Sequence, residues 1–154
     1  MQHQRNGYQL FLLGAIMLLG LGDAFADGLS AGDVTYATVA LDSAGETYFD
    51  DMVVPYELKD FAPPAGPIGI AAKQPAASLV FTTLPGRWDG DWHPAPRRQF
   101  VFLLGGAIDI EVASGETRRF ETGDIVFLED TTGRGHDTRV AGDEPAVFAI
   151  VALP

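Results

Sequence analysis

The sequence contains no cysteine, and that one absence removes several kinds of chemistry. Disulfide staples, a thiol nucleophile, thiolate metal ligands and a lipidated N-terminal cysteine are all excluded, so the core alone has to hold the fold. Basic residues are scarce. Ten Lys and Arg stand against 21 Asp and Glu, for a net charge of −11. Nucleic-acid binding and docking on anionic lipid both need a basic patch, so this balance predicts no nucleic-acid partner. The acidity reads as a device for solubility. The chain also lacks low-complexity tracts, heptad runs and repeats of solenoid length. Its hydrophobic content of 47% is too high for a disordered chain, and 154 residues give room for one domain and little more. Histidine occurs only as His3, His93 and His136.

What is present begins with a three-part N-terminus. Met1–Gln9 is polar and carries Arg5, and Leu10–Gly22 is an uncharged run of 13 residues. Ala24-Phe25-Ala26 then fits the small-x-small pattern of a signal-peptidase site. The run is short of the ~18–20 residues of a spanning helix. The layout predicts a signal peptide over residues 1–26, cleaved near Ala26. The mature protein is then periplasmic or secreted, begins near Asp27 and has no membrane attachment. A retained N-terminal membrane anchor is the alternative. His3 falls in this segment and outside any site. Cleavage leaves the charge at −11, because Arg5 and Asp23 leave together.

Residues 27–77 read as a lead-in arm. Val34–Leu41 fits a strand and Thr47–Phe49 a short one, with the turn residues Asp42–Gly45 between them. The prolines and glycines of Asp60–Gly69 forbid a regular helix and predict an extended segment lying on a barrel surface. From Ser78 to Pro154 the pattern is β throughout. Gln99–Leu104 is apolar on both faces and predicts a central strand. In Ala107–Ala113 the residues Ile108, Ile110 and Val112 alternate with Asp109 and Glu111. Further strands are expected over Ser78–Leu84, Glu116–Glu121, Ile125–Leu128, His136–Val140 and Ala146–Leu153, with tight turns between them. No stretch after Gly28 has helical periodicity. There is no nucleophile-elbow motif, and the glycines at 133 and 135 precede no helix that would make a phosphate loop.

The stretch Trp92-His93-Pro94-Ala95-Pro96-Arg97-Arg98-Gln99, followed after six residues by Gly106, resembles the first cupin motif. His93 stands at its first histidine position, Ala95 at the second, Gln99 at the glutamate position and Gly106 at the closing glycine. Gly123-Asp124-Ile125 through His136 is similar to the second motif, with His136 at its histidine position and Glu129 where a proline is usual. The resemblance covers Ser78–Pro154 and is nearest to small single-domain bacterial cupins. It implies an all-β fold: a single-domain cupin-type β-barrel, also called a double-stranded β-helix or jelly roll, with an extended N-terminal arm over residues 27–77. It also implies homodimers.

The expected ligand pocket comprises His93, Arg97, Gln99, His136 and Trp92. His93, Gln99 and His136 are the candidate ligands for one divalent metal (Zn, Ni, Fe or Mn). Two imidazoles and a neutral amide are a weak set, however, since Ala95 and Gln99 replace the stronger ligands. Without metal, the histidines are hydrogen-bonded pocket residues bridged by Gln99. Arg97 fits either a bidentate carboxylate clamp at the mouth or a surface ion pair, and Arg98 fits the surface pair. Trp88 and Trp92 either wall the pocket or cap the core. Glu129-Asp130 offers a carboxylate for acid–base work with a histidine, but Asp130 reads first as a turn former. The functional readings are a small-molecule-binding module, a metal-dependent periplasmic isomerase, lyase or oxygenase acting on a small acid or sugar, and a non-catalytic oligomerising cupin. The eroded ligand set favours binding.

Overall fold

Alternation of apolar and polar residues decides the architecture. The structure is a computed structural model that describes residues 33–154, and both the expected signal peptide and its cleavage site lie outside the described residues. In β7 (Ala107–Val112) the side chains of Ile108, Ile110 and Val112 are buried, while Asp109 and Glu111 take the other face. β7 pairs antiparallel with β8 (Thr117–Glu121) and β10 (His136–Val140), making a three-stranded sheet in the order β10-β7-β8.

A six-stranded sheet faces it. Its order is β2 (Thr47–Val53), β1 (Thr35–Leu41), β9 (Ile125–Leu128), β6 (Gln99–Gly105), β11 (Ala146–Ala152) and β5 (Ser78–Leu84). The strand β6 is central, as its composition predicts, but its outer face is only partly covered: Phe100 and Phe102 are half-buried and Leu104 is exposed. Val101 and Leu103 point into the core. On the outer face Phe100 stacks on Phe127 at 4.3 Å, and Tyr36 meets both rings edge-on at 5.3 and 6.1 Å. The core between the sheets draws Val39, Leu103 and Val126 from the larger one, and Ile108, Val112 and Phe120 from the smaller. The described residues contain no helix, and the fold is an all-β jelly roll.

The stretch ahead of residue 78 differs from the expectation in three ways. β2 runs on to Val53, because it pairs with β1 along its whole length, Thr35↔Val53 to Leu41↔Thr47, although only Thr47 and Phe49 are buried. β1 is wedged between β2 and β9 and runs parallel to β9, so residues 35–53 complete the large sheet. The proline-rich stretch does not lie extended. Glu57–Lys59 (β3) and Ile68–Ile70 (β4) pair as a small hairpin, and the prolines and glycines fill its exposed loop.

Candidate functional site

A cavity of about 180 Å³ lies between the two sheets, inside the barrel. Its walls are mostly apolar: Val101, Ile110, Val126, Leu128, Phe148 and others from six strands, with Trp88 from the loop after β5. One end is polar. Gln99 is the first residue of β6 and His136 the first of β10, and His93 joins them there. His93 and His136 form an isolated antiparallel bridge, N to O at 3.0 Å one way and 3.1 Å the other. Their rings lie 5.0 Å apart between centroids. His136 is buried, whereas His93 is exposed and marks the opening.

The partners of the two rings assign their tautomers. His93 Nδ1 lies 2.6 Å from the Asp91 carbonyl oxygen, which can only accept, so this nitrogen carries the hydrogen and donates. His136 Nδ1 lies 2.7 Å from Asp130 Oδ2, a carboxylate oxygen placed to accept likewise. A neutral imidazole has one N–H, so in that form Nε2 of each histidine is a bare acceptor. The pair therefore offers two nitrogen lone pairs. Asp130 is fully buried, and its Oδ1 has no partner among the described residues. This corrects the reading of Asp130 as a turn former: its carboxylate sits behind His136 and orients the ring.

Local backbone bonds hold the site together. The Ala95 N–H donates to the Asp130 carbonyl at 3.0 Å, tying together the loops that carry the two histidines. Thr47 is buried on β2. Its hydroxyl donates to the Gly135 carbonyl at 2.8 Å and accepts from the Ala113 N–H at 2.7 Å. The N-terminal strands thus anchor the loop that delivers His136. Gly135 has φ +80°, and a Cβ there would fall on the His93 carbonyl. Only glycine lets the two chains come this close.

Residues 79–152 match the family model described as a cupin domain. The chain belongs to the cupin superfamily. No curated protein matches it by sequence. Among solved structures, the cupin domain of Schizosaccharomyces pombe Cnp3 is 14% identical with a TM-score of 0.42, and the match covers 79% of this chain and 84% of that one. KdgF from Halomonas sp. is 22% identical with a TM-score of 0.37, covering 64% and 89%. Protein NMB1881 from Neisseria meningitidis is 16% identical with a TM-score of 0.38, covering 49% and 72%.

In this cupin the wall includes His93, Gln99 and His136 but neither Arg97 nor Trp92. The chain bends at residues 96–98 before β6 begins, so the two-residue alternation back from Gln99 fails and Arg97 is exposed. Trp92 precedes His93 and takes the opposite side of the extended chain, with its ring under the Arg134 guanidinium at 3.6 Å. Trp88 contributes to the wall in its place and also packs on the core. Arg98 pairs with Glu129, Nε to Oε1 at 3.0 Å, on the surface. Gln99 makes no side-chain hydrogen bond among the described residues and so does not bridge the histidines. Nor do the described residues contain a group of three or more His, Cys, Asp or Glu placed to hold a metal ion. Ala95, at the second imidazole position, is buried and offers no donor. Asp130, the carboxylate in contact with His136, is engaged at Nδ1. The donor set therefore does not fit a firmly held divalent ion, which would keep its full charge among neutral ligands.

Proposed function

We propose that this protein is an exported cupin that binds a small organic molecule in the barrel, with His93, Gln99 and His136 as its polar end. The observation that carries the reading is the pair of adjacent histidines lining one apolar cavity, each with its Nδ1 already engaged, so that Nε2 is the nitrogen left to meet a ligand. A ligand with an apolar body and an O–H or N–H donor satisfies both parts, and Gln99 offers both a donor and an acceptor. At about 180 Å³ the cavity is below the ~300–1,000 Å³ of pockets for drug-sized ligands, so the ligand is small. Acid–base chemistry is within reach, because His136 is backed by the Asp130 carboxylate at Nδ1. A metal-dependent isomerase, lyase or oxygenase is the weaker reading, because a divalent ion on two imidazoles and an amide is held loosely. Untagged protein purified after export is expected to begin at Asp27 and to carry metal well below one ion per chain. Its melting temperature is expected to be unchanged by EDTA and raised by a small hydroxylated ligand, in a manner lost on His136→Ala. Stoichiometric metal that disappears in the His93→Ala, His136→Ala double variant would support the enzyme reading instead.

One observation also favours a homodimer. β5 is an edge strand with Leu79, Val80 and Phe81 all exposed, and no described element pairs with its outer side. Its sequence, SLVFTTL, has no charge and no proline, the usual guards of an open edge. The opposite edge, β2, carries Asp50 and Asp51. In a chain of charge −11, two copies can approach along an uncharged strand, and antiparallel pairing of β5 with its own copy fits a two-fold axis. Phe81→Lys is expected to convert a dimer to a monomer in analytical ultracentrifugation. Wild-type protein that sediments as a monomer at high concentration contradicts this interface.

A further inference from the structure

The cavity is not walled evenly. Its lining residues Val101, Ile110, Val126 and Leu128 are buried, and so is His136. Most of those that reach solvent gather at one flank. Thr82 and Leu84 of β5, Ile150 of β11 and Trp88 are half-buried, and His93 is exposed.

Val80 continues that row. It pairs with Ile150, as Thr82 does with Phe148 and Leu84 with Ala146, so these three β5 side chains share the face that meets the barrel interior. Yet Val80 is 51% exposed. An apolar side chain on the inner face of a sheet stays in water only where no second layer covers it. The large sheet ends here, because β5 is its edge strand. Across the opening the chain runs beside β10, through the Asp89↔Arg139 and His93↔His136 bridges. Ser78 pairs with Ala152, and Ala152 with Gln99, so the start of β5 lies at the polar end of the cavity.

A second copy paired along β5 covers this flank. The two-fold axis that pairs Ser78–Leu84 over its whole length sets Phe81 against its own copy. Val80 then faces the partner's Thr82, and Thr82 the partner's Val80. Directly opposed residues of an antiparallel pair share a face, so these side chains join the inner face, one strand spacing of ~4.8 Å beyond the edge. We infer that a second copy of this chain completes the cavity, its Val80 and Thr82 closing the open flank, so that the site is whole only in the dimer. The inference rests on the dimer reading above and adds that interface and cavity share β5.

The absence of cysteine makes a direct test available. Ile150→Cys places a single thiol on the cavity wall beside Val80, and Thr82→Cys, a change of little volume, is a second reporter. Leu104→Cys, on an exposed side chain of β6, is the control. The rate of alkylation by iodoacetamide is read alongside sedimentation, from dilute to concentrated protein. Both cavity thiols are expected to react at least about fivefold more slowly in the dimer, because a packed interface excludes solutes, while the thiol at 104 keeps its rate. Phe81→Lys sets like charges opposite each other on the axis. Added to either reporter, it is expected to give a monomer that reacts at the fast rate even when concentrated. Dimers that Phe81→Lys abolishes but in which both cavity thiols keep the monomer rate overturn the shared wall and leave the dimer reading standing. Wild type that stays monomeric, or a Phe81→Lys protein that still dimerises, overturns the dimer reading and this inference with it.

Discussion

Replacing Asp130 with Ala is expected to lower stability by about 3 kcal/mol and the melting temperature by about 10 °C, and to weaken ligand binding in the cavity. Asp130 is fully buried, and its Oδ2 accepts from His136 Nδ1 at 2.7 Å. Removing the carboxylate strands a buried N–H donor, which alone costs about 1–3 kcal/mol, and leaves a void behind the ring. The imidazole also loses the partner that keeps the hydrogen on Nδ1, so Nε2 is no longer held as an acceptor. Asp130→Asn separates the two effects. The amide oxygen can still accept from Nδ1, so stability is expected to fall by only about 1 kcal/mol. Thermal denaturation of the three proteins checks the order wild type, Asp130→Asn, Asp130→Ala. An Asp130→Ala variant as stable as wild type removes Asp130 from the site.

Gly135→Ala is expected to be worse still, because the obstacle is backbone. Glycine at φ +80° spares the roughly 1–2 kcal/mol that an L side chain meets in the left-handed region. A Cβ at this position also collides with the His93 carbonyl, which accepts from the His136 N–H at 3.1 Å. Relief requires the two strands to separate, breaking the bridge that sets the histidines side by side. Gly115→Ala supplies the control. Its φ is +87°, but nothing lies within 4 Å of the added methyl, so only the conformational cost applies, about 1 kcal/mol. Gly135→Ala should exceed this by at least ~2 kcal/mol in urea denaturation. Equal effects at the two glycines contradict the close approach of the His93 and His136 chains.

The polar end of the cavity was partly legible before the structure. His93, Gln99 and His136 sit where the two cupin-like motifs put them, and β7 follows its own alternation of Ile108, Ile110 and Val112. Asp130 was not legible. A carboxylate beside a glycine-bearing loop looks like turn chemistry, and its burial arises only when Ala95 folds over it and bonds its carbonyl. Arg97 was placed on the inner face by counting in twos, a rule that stops where the chain bends before β6. Trp88 carries no local mark that separates a wall residue from a cap. The place of β1 also depends on a parallel pairing with β9 across nearly ninety residues, Ala37 with Val126, and no periodicity within either strand encodes it.

The central claim is that His93 and His136 present bare Nε2 atoms to one shared cavity. Histidine-ring nitrogen–proton NMR on uniformly labelled protein reads this directly, at a pH well above the ordinary histidine pKa of ~6.5. His93→Ala and His136→Ala variants assign the signals. Both rings are expected to carry hydrogen on Nδ1 and none on Nε2, and a saturating small hydroxylated ligand is expected to shift both Nε2 resonances together. A His136 ring protonated on Nε2, or a bound ligand that moves neither Nε2 signal, contradicts the account.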